Sequence, residues 1–266
     1  MCFLLQEPAR AGKSFTWTGE GKDECQQNYP DKSAPDDSAQ LAPTGSIPAH
    51  VILGENLTLA SLNVEAGSWL TDGKVTVTRS LGWTGGSLGA RLEMAAWSVG
   101  NIDGPDTKQL NGLLNNRGSV SLAPDARLGL VGGANVNNFG TFTAQHGARI
   151  SGLPGCVDSA VINNSGTFMV TSGLIPLPGT DTVTVSGTSF NAGGMIVNVS
   201  SGVLELHSPP GKIAASTRFT GDGTVKIIDN ADTTMLGSFS VAPRPTSSSA
   251  RARASAAAAR CSGPAA

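Results

Sequence analysis

Acid–base chemistry has few places to start in this chain. Three aspartates gather towards its end, Asp222, Asp229 and Asp232, and two more, Asp103 and Asp106, flank a Gly-Pro turn. A pair of carboxylates about 5 to 9.5 Å apart would suit glycosidic cleavage, one protonating the leaving oxygen while the other acts as nucleophile or activates water. Neither set combines a basic residue with an aromatic platform at strand spacing, so solvated turn residues account for both. His50, His146 and His207 stand in unrelated contexts with no partner at metal-ligand spacing. Cys2, Cys25, Cys156 and Cys261 lack the paired spacing of a zinc site. In an oxidising compartment Cys25 and Cys156 are candidates to bridge, with a free thiol at each as the alternative. No Gly-x-Ser-x-Gly elbow occurs in a strand-to-helix setting. The residues thus assign no catalytic, cofactor-binding or metal-ligating position and call for no cofactor.

What positions these groups is an unusual composition. Glycine supplies 34 of 266 residues and only 14% of the chain is charged, against a usual glycine content of about 7%. Many tight turns on short strands suit such a chain, and no apolar pattern of helical period persists through its middle. A net charge of −2 and the lack of a basic stripe interleaved with aromatics argue against nucleic acid. The one basic cluster, Arg251-Ala252-Arg253, lies in the tail. No stretch approaches the about 20 apolar residues of a membrane span. The apolar start Met1-Cys2-Phe3-Leu4-Leu5 turns polar at Gln6, short of a signal-peptide core; the expectation is that an export signal lies upstream of an incomplete N-terminus.

A phrase recurs. It reads Leu114-Asn115-Asn116-Arg117-Gly118-Ser119-Val120, Val136-Asn137-Asn138-Phe139-Gly140-Thr141-Phe142 and Ile162-Asn163-Asn164-Ser165-Gly166-Thr167-Phe168. Weaker copies at 190–198 and 219–227 place the aligned glycines 22, 26, 28 and 29 residues apart. Self-similarity at such a period marks a solenoid. Four residues before the glycine stand Leu114, Val136, Ile162, Phe190 and Phe219; two after it stand Val120, Phe142, Phe168, Ile196 and Val225. Parallel in-register coils would stack each column on itself at about 4.8 Å, forming internal apolar rows. The glycine column predicts a corner of positive φ, and the asparagines predict a stacked amide ladder. Leu81–Leu88 reads as a degenerate early copy, with a loop insertion around 101–106 making up the longer interval to Gly118. A second phrase, Ala-Arg-apolar, occurs at 90–92, 126–128 and 148–150, and the last two keep step with Gly118 and Gly140.

The predicted fold is all-β: a right-handed parallel β-helix of about six coils, since parallel crossovers are right-handed in about 98% of cases. Residues 1–50 are a polar lead-in containing a cap for the open end, 51–240 the β-helix, and 241–266 a low-complexity, disordered tail. With Trp83-Thr84-Gly85-Gly86 upstream, the Asn-Asn-x-Gly phrases resemble the β-helical passenger repeats of large bacterial and algal surface proteins, adhesins and autotransporter-like proteins among them. That resemblance covers about 51 to 230. It implies an extracellular or cell-surface, non-catalytic rod, with carbohydrate, matrix or another cell surface as partner.

A carbohydrate-active β-helix enzyme, a lyase or hydrolase with a degenerate site, is the alternative function. The Asn-Thr-Asp, Asp-Asp, Gly-His-Gly and Arg-x-Lys set of polygalacturonases is absent. Thr76-Val77-Thr78 and Thr182-Val183-Thr184 resemble the Thr-x-Thr arrays of ice-binding solenoids, but such a surface needs the array on successive coils, so β-propensity explains them. Sequons stand at Asn56, Asn163 and Asn198; a glycan on Asn163 would compete with its place in the ladder. Phe142→Asp is expected to unfold the neighbouring coils by putting a carboxylate in an internal row; an unchanged melting curve would put the register wrong.

Overall fold

Alternating apolar and polar residues in four- or five-residue runs, each ended by a turn, make short strands that bury one face. The computed structural model describes residues 12–18, 35–54, 56–152, 160–172, 181–193, 196–207, 212–213, 217–228, 234–235 and 240–241. Among them the strands are paired in parallel, coil upon coil, through about eight turns of an all-β solenoid without helices. This is the predicted class, with more turns than the six expected.

Each coil in the body of the rod contributes three strands. The first face stacks Arg91–Met94, Leu113–Asn116, Asn135–Asn138, Val161–Asn164 and Ser189–Ala192. A second face stacks Val99–Ile102, Ser119–Leu122, Thr141–Gln145, Thr167–Thr171, Ile196–Val199 and Arg218–Thr220. Nine strands make the third, from Ala49–Ile52 to Thr224–Ile228. The two earliest coils run through the first corner as the long strands Asn56–Val64 and Lys74–Trp83, with a register shift between Leu59 and Ser61. Within the predicted cap region, Ser14–Trp17 and Ser38–Leu41 pair in parallel onto Ser61–Val64, adding two rungs to the second face. Of the predicted tail, Val241 pairs with Phe219, and the rest lies outside the described residues.

Two internal rows keep most of the predicted members. Leu114, Val136, Ile162 and Phe190 stack in register, as do Val120, Phe142 and Phe168, all buried. The Phe142 and Phe168 rings are parallel with centroids 5.5 Å apart, and Phe190 closes edge-on to Phe168 at 5.2 Å. Burying each such side chain contributes about 1.5 to 3 kcal/mol, and no coil completes the row alone.

Four expectations are corrected. Val197, not Ile196, pairs with Phe168, because one more residue separates the strands at that corner. Phe219 belongs to the second-face row behind Val197, and Val225 pairs with Leu204 on the third face, so the phrase at 219–227 crosses a different corner. Leu81 pairs with Gly100, and Leu92 with Leu114; a whole coil spanning 91–102 occupies the interval taken for an insertion. Arg91 accordingly lies on the first face while Arg127 and Arg149 pair on the third, so only two of the three Ala-Arg phrases share a column.

The fourth concerns the corner glycines. Gly118, Gly140 and Gly166 are absent from the residues of positive φ. Their cause is close approach: a Cβ on Gly140 would meet the Gly118 carbonyl, and one on Gly166 the Gly140 carbonyl. Stacked corners press each Cα against the backbone of the coil before it, so a side chain has no room.

Two amide ladders run along the first face in opposite senses. In the buried one, Asn116 Nδ2 donates to Asn138 Oδ1 at 2.8 Å and Asn138 Nδ2 to Asn164 Oδ1 at 2.7 Å. The same amides reach round the corner to the carbonyls of Thr141, Thr167 and Ile196. Carbonyls can only accept, which fixes the orientation of all three amides. In the outer ladder Asn191 donates to Asn163, Asn163 to Asn137 and Asn137 to Asn115, at 2.8 to 2.9 Å. Asn115 then donates to Glu93 Oε1 at 2.7 Å. A carboxylate has nothing to donate, so Glu93 sets the direction of that chain. Met94 precedes Asn116 in the buried column, and Asn116 Oδ1 is left buried without a partner.

Asn138→Leu should destabilise the rod by about 1 to 3 kcal/mol for each buried partner left unpaired, Asn164 Oδ1 and the Thr167 carbonyl. Asn137→Ala, on the half-exposed ladder, should cost distinctly less. Urea midpoints of the two variants check the order.

Candidate functional site

The residues considered for chemistry land apart. Asp222 is exposed in a turn, and Asp229 and Asp232 lie outside the described residues. Asp103 and Asp106 are exposed in the bend between the second and third faces, where Asp103 Oδ1 accepts the Gly104 N–H at 2.6 Å. His50 meets Trp69 edge-on at 5.9 Å, and His146 lies in a turn whose carbonyl accepts from Asp125. All four cysteines, Cys25 and Cys156 included, lie outside the described residues. Among the described residues, no three His, Cys, Asp or Glu side chains are grouped to hold a metal ion, and no helix is long and apolar enough to cross a membrane. Asn163 is a rung of the outer ladder, as the repeated Asn-Asn-x-Gly phrase predicted.

Sequence reasoning missed a small ionic cluster on the third face. Glu205 Oε1 accepts from Lys226 Nζ at 3.0 Å, and its Oε2 lies 3.3 Å from His207 Nε2. The Lys226 hydrogen bond holds this carboxyl below the usual carboxylate range. An ionised surface carboxylate of this kind steadies neighbouring strands weakly and is a poor proton donor.

More telling is the corner between the first and second faces. Its turn at 95–98, closed by an N–H to carbonyl bond between its ends, recurs at the other corners of the rod: at 65–68, 123–126 and 145–148 between the second and third faces, and at 131–134 between the third and first. Its third residue has positive φ in each: Gly67 at 75°, Trp97 at 71°, Asp125 at 56°, Gly133 at 75° and Gly147 at 71°. Glycine adopts this conformation freely and aspartate tolerates it, but for a bulky residue it costs of the order of 1 to 3 kcal/mol. Trp97 holds that strained position with its side chain in solvent, 96% exposed.

The next corners along the rod carry Arg117, Phe139 and Ser165 in the slot before the corner glycine. The Arg117 guanidinium lies 5.3 Å from the centroid of the Phe139 ring, which is 49% exposed. On one side of this edge runs the outer amide ladder; on the other runs a hydroxyl column, Ser119, Thr141 and Thr167, beside Ser121 and Thr143. Ser/Thr-x-Ser/Thr pairs thus do stack on successive coils, though not the pairs at 76–78 and 182–184. The turn slot was legible as text, since Ala95-Ala96-Trp97-Ser98 parallels Glu65-Ala66-Gly67-Ser68. Taking 81–88 for the early copy hid the coil that contains it.

Lys108 is the other surprise. It is fully buried, inward-facing in the column that continues through Leu128 and Ile150. Its ammonium donates to the carbonyls of Gly104 and, at 2.8 Å, Asp106, pinning the 103–106 bend. Burial pushes its pKa below the ordinary value of 10.5, opposed by the charges of Asp103 and Asp106. Between the lowered folded value and 10.5 the unfolded chain binds the extra proton, so stability rises with pH across that alkaline window. Lys108→Met should remove this rise, seen as a flatter dependence of the urea midpoint on pH than in the wild type.

No family model, no curated protein and no solved structure matches this chain.

Proposed function

We propose that the chain is a non-catalytic structural or adhesion-type module: a stiff extracellular or cell-surface rod, part of a larger surface protein, that holds corners and loops in fixed array for a carbohydrate, matrix or cell-surface partner. The observation that carries this is the pair of amide ladders. They lock the register of successive coils over the length from Glu93 to Asn191 and use the recurring polar residues for support rather than for chemistry. The polar Ser/Thr column and the exposed aromatic corner beside them supply contact surface. The repeat resemblance to surface-protein passenger domains points to the same compartment.

A carbohydrate-active enzyme is the rival from another class. The bend at 103–106 favours it most, since it brings two carboxylates beside a buried amine. Purified protein incubated with a panel of polysaccharides distinguishes the two. The module retains one or more of them on the bound fraction with no new reducing ends and no absorbance from unsaturated uronates. Product formation that disappears in Asp103→Asn or Asp106→Asn would replace the module with the enzyme.

A further inference from the structure

We propose that the edge carrying Trp97, Arg117 and Phe139 is a binding site for a polysaccharide chain lying along the rod axis. The inference rests on the module reading and gives it a site and a ligand class.

Strain and exposure coincide at Trp97. At every other instance of this turn among the described residues the slot is filled by glycine or aspartate, so a tryptophan there strains the backbone and leaves the indole uncovered. Neither the turn nor the core requires an aromatic ring at that point. Its effect is to present a flat apolar surface at the outermost point of a corner.

Periodicity and surroundings name the ligand. Trp97 and Phe139 are two corners apart, about 10 Å along the rod by the inter-strand spacing, a distance close to one disaccharide in an extended β-linked chain. Aromatic faces carry negative charge density that attracts the polarised C–H bonds of a pyranose. Hydroxyls of the same sugar need hydrogen-bonding partners, and the edge is bordered by half-exposed amides of Asn137 and Asn163 and by the hydroxyls of Ser119, Thr141 and Thr167. Arg117, resting on Phe139, fixes the second ring and offers its N–H groups to sugar oxygens. A protein partner would be expected to need a broader apolar centre than two separated rings. A phosphate polymer would need more than one cation on the edge.

The test is titration calorimetry of the full chain with hexasaccharides of the cello, manno, xylo and galacturonate series. Wild type is compared with Trp97→Gly, Phe139→Ala and Trp69→Ala, the last an exposed tryptophan on another face. At least one series should bind. Trp97→Gly should weaken it about tenfold or more and Phe139→Ala severalfold, while Trp69→Ala leaves it unchanged. Trp97→Gly should also melt no lower than wild type, because glycine takes the turn without strain, so lost binding is not lost folding. Binding by none of the four series, or wild-type affinity in Trp97→Gly, overturns the proposal and leaves the module reading standing. Cleavage of a hexasaccharide overturns the module reading instead, and the variants then still decide whether this edge holds the chain.

Discussion

Register is the constraint on which everything else in this molecule depends. In a parallel solenoid each coil gives its backbone hydrogen bonds to the next, and a slip of one residue would turn every internal row outward. Apolar rows alone enforce this loosely, since Val, Ile, Leu and Phe substitute for one another along them. Asn116, Asn138 and Asn164 enforce it tightly. Each donates to a carbonyl around the corner, and Asn116 and Asn138 donate also to the amide one rung on, so a buried amide out of step would lose these bonds. The corner glycines act from the other side of the same bend, where each carbonyl sits against the next Cα. Ladder and glycine together make the coils from 113 to 171 the most regular part of the rod.

That regular part is also where the sequence was most legible. Three copies of Asn-Asn-x-Gly align without ambiguity, and both flanking rows fell in the right place. Where the asparagine is replaced, alignment on glycine misled. Ala192 follows Asn164 in the column, and with the ladder ended the corner gains a residue, shifting Ile196 outward. At Phe219 the glycine used for alignment belongs to a different turn. The coil at 91–102 was invisible for a related reason: it carries Glu93 and Met94 where the next three carry Asn-Asn, although Glu93 is chemically part of the ladder.

Lys108 and Trp97 are each in a position that the pattern assigns to another kind of residue. Lys108 stands in an internal row and is tolerated because two carbonyls of its own bend receive the ammonium. Its burial follows from a local loop and could not be read from strand alternation. Trp97 stands in a slot suited to glycine, legible in the sequence once Ala95–Ser98 is set beside Glu65–Ser68. Departures from a repeat carry more information about function than the repeat itself, because the repeat is already explained by the fold.

Glu93 gives the rod a direction. A coil duplicated anywhere between 113 and 171 would take over its neighbour's hydrogen bonds unchanged, so the array can lengthen from within without disturbing what lies beyond. An Asn-bearing coil placed ahead of Glu93 could donate its amide to that carboxylate only by reversing, which would leave its own oxygen to be satisfied by something further out. The glutamate thus acts as a terminus for the outer amide chain: further Asn-bearing coils extend that chain in its existing sense only on the C-terminal side of residue 93, whereas the coils ahead of it stack without the ladder.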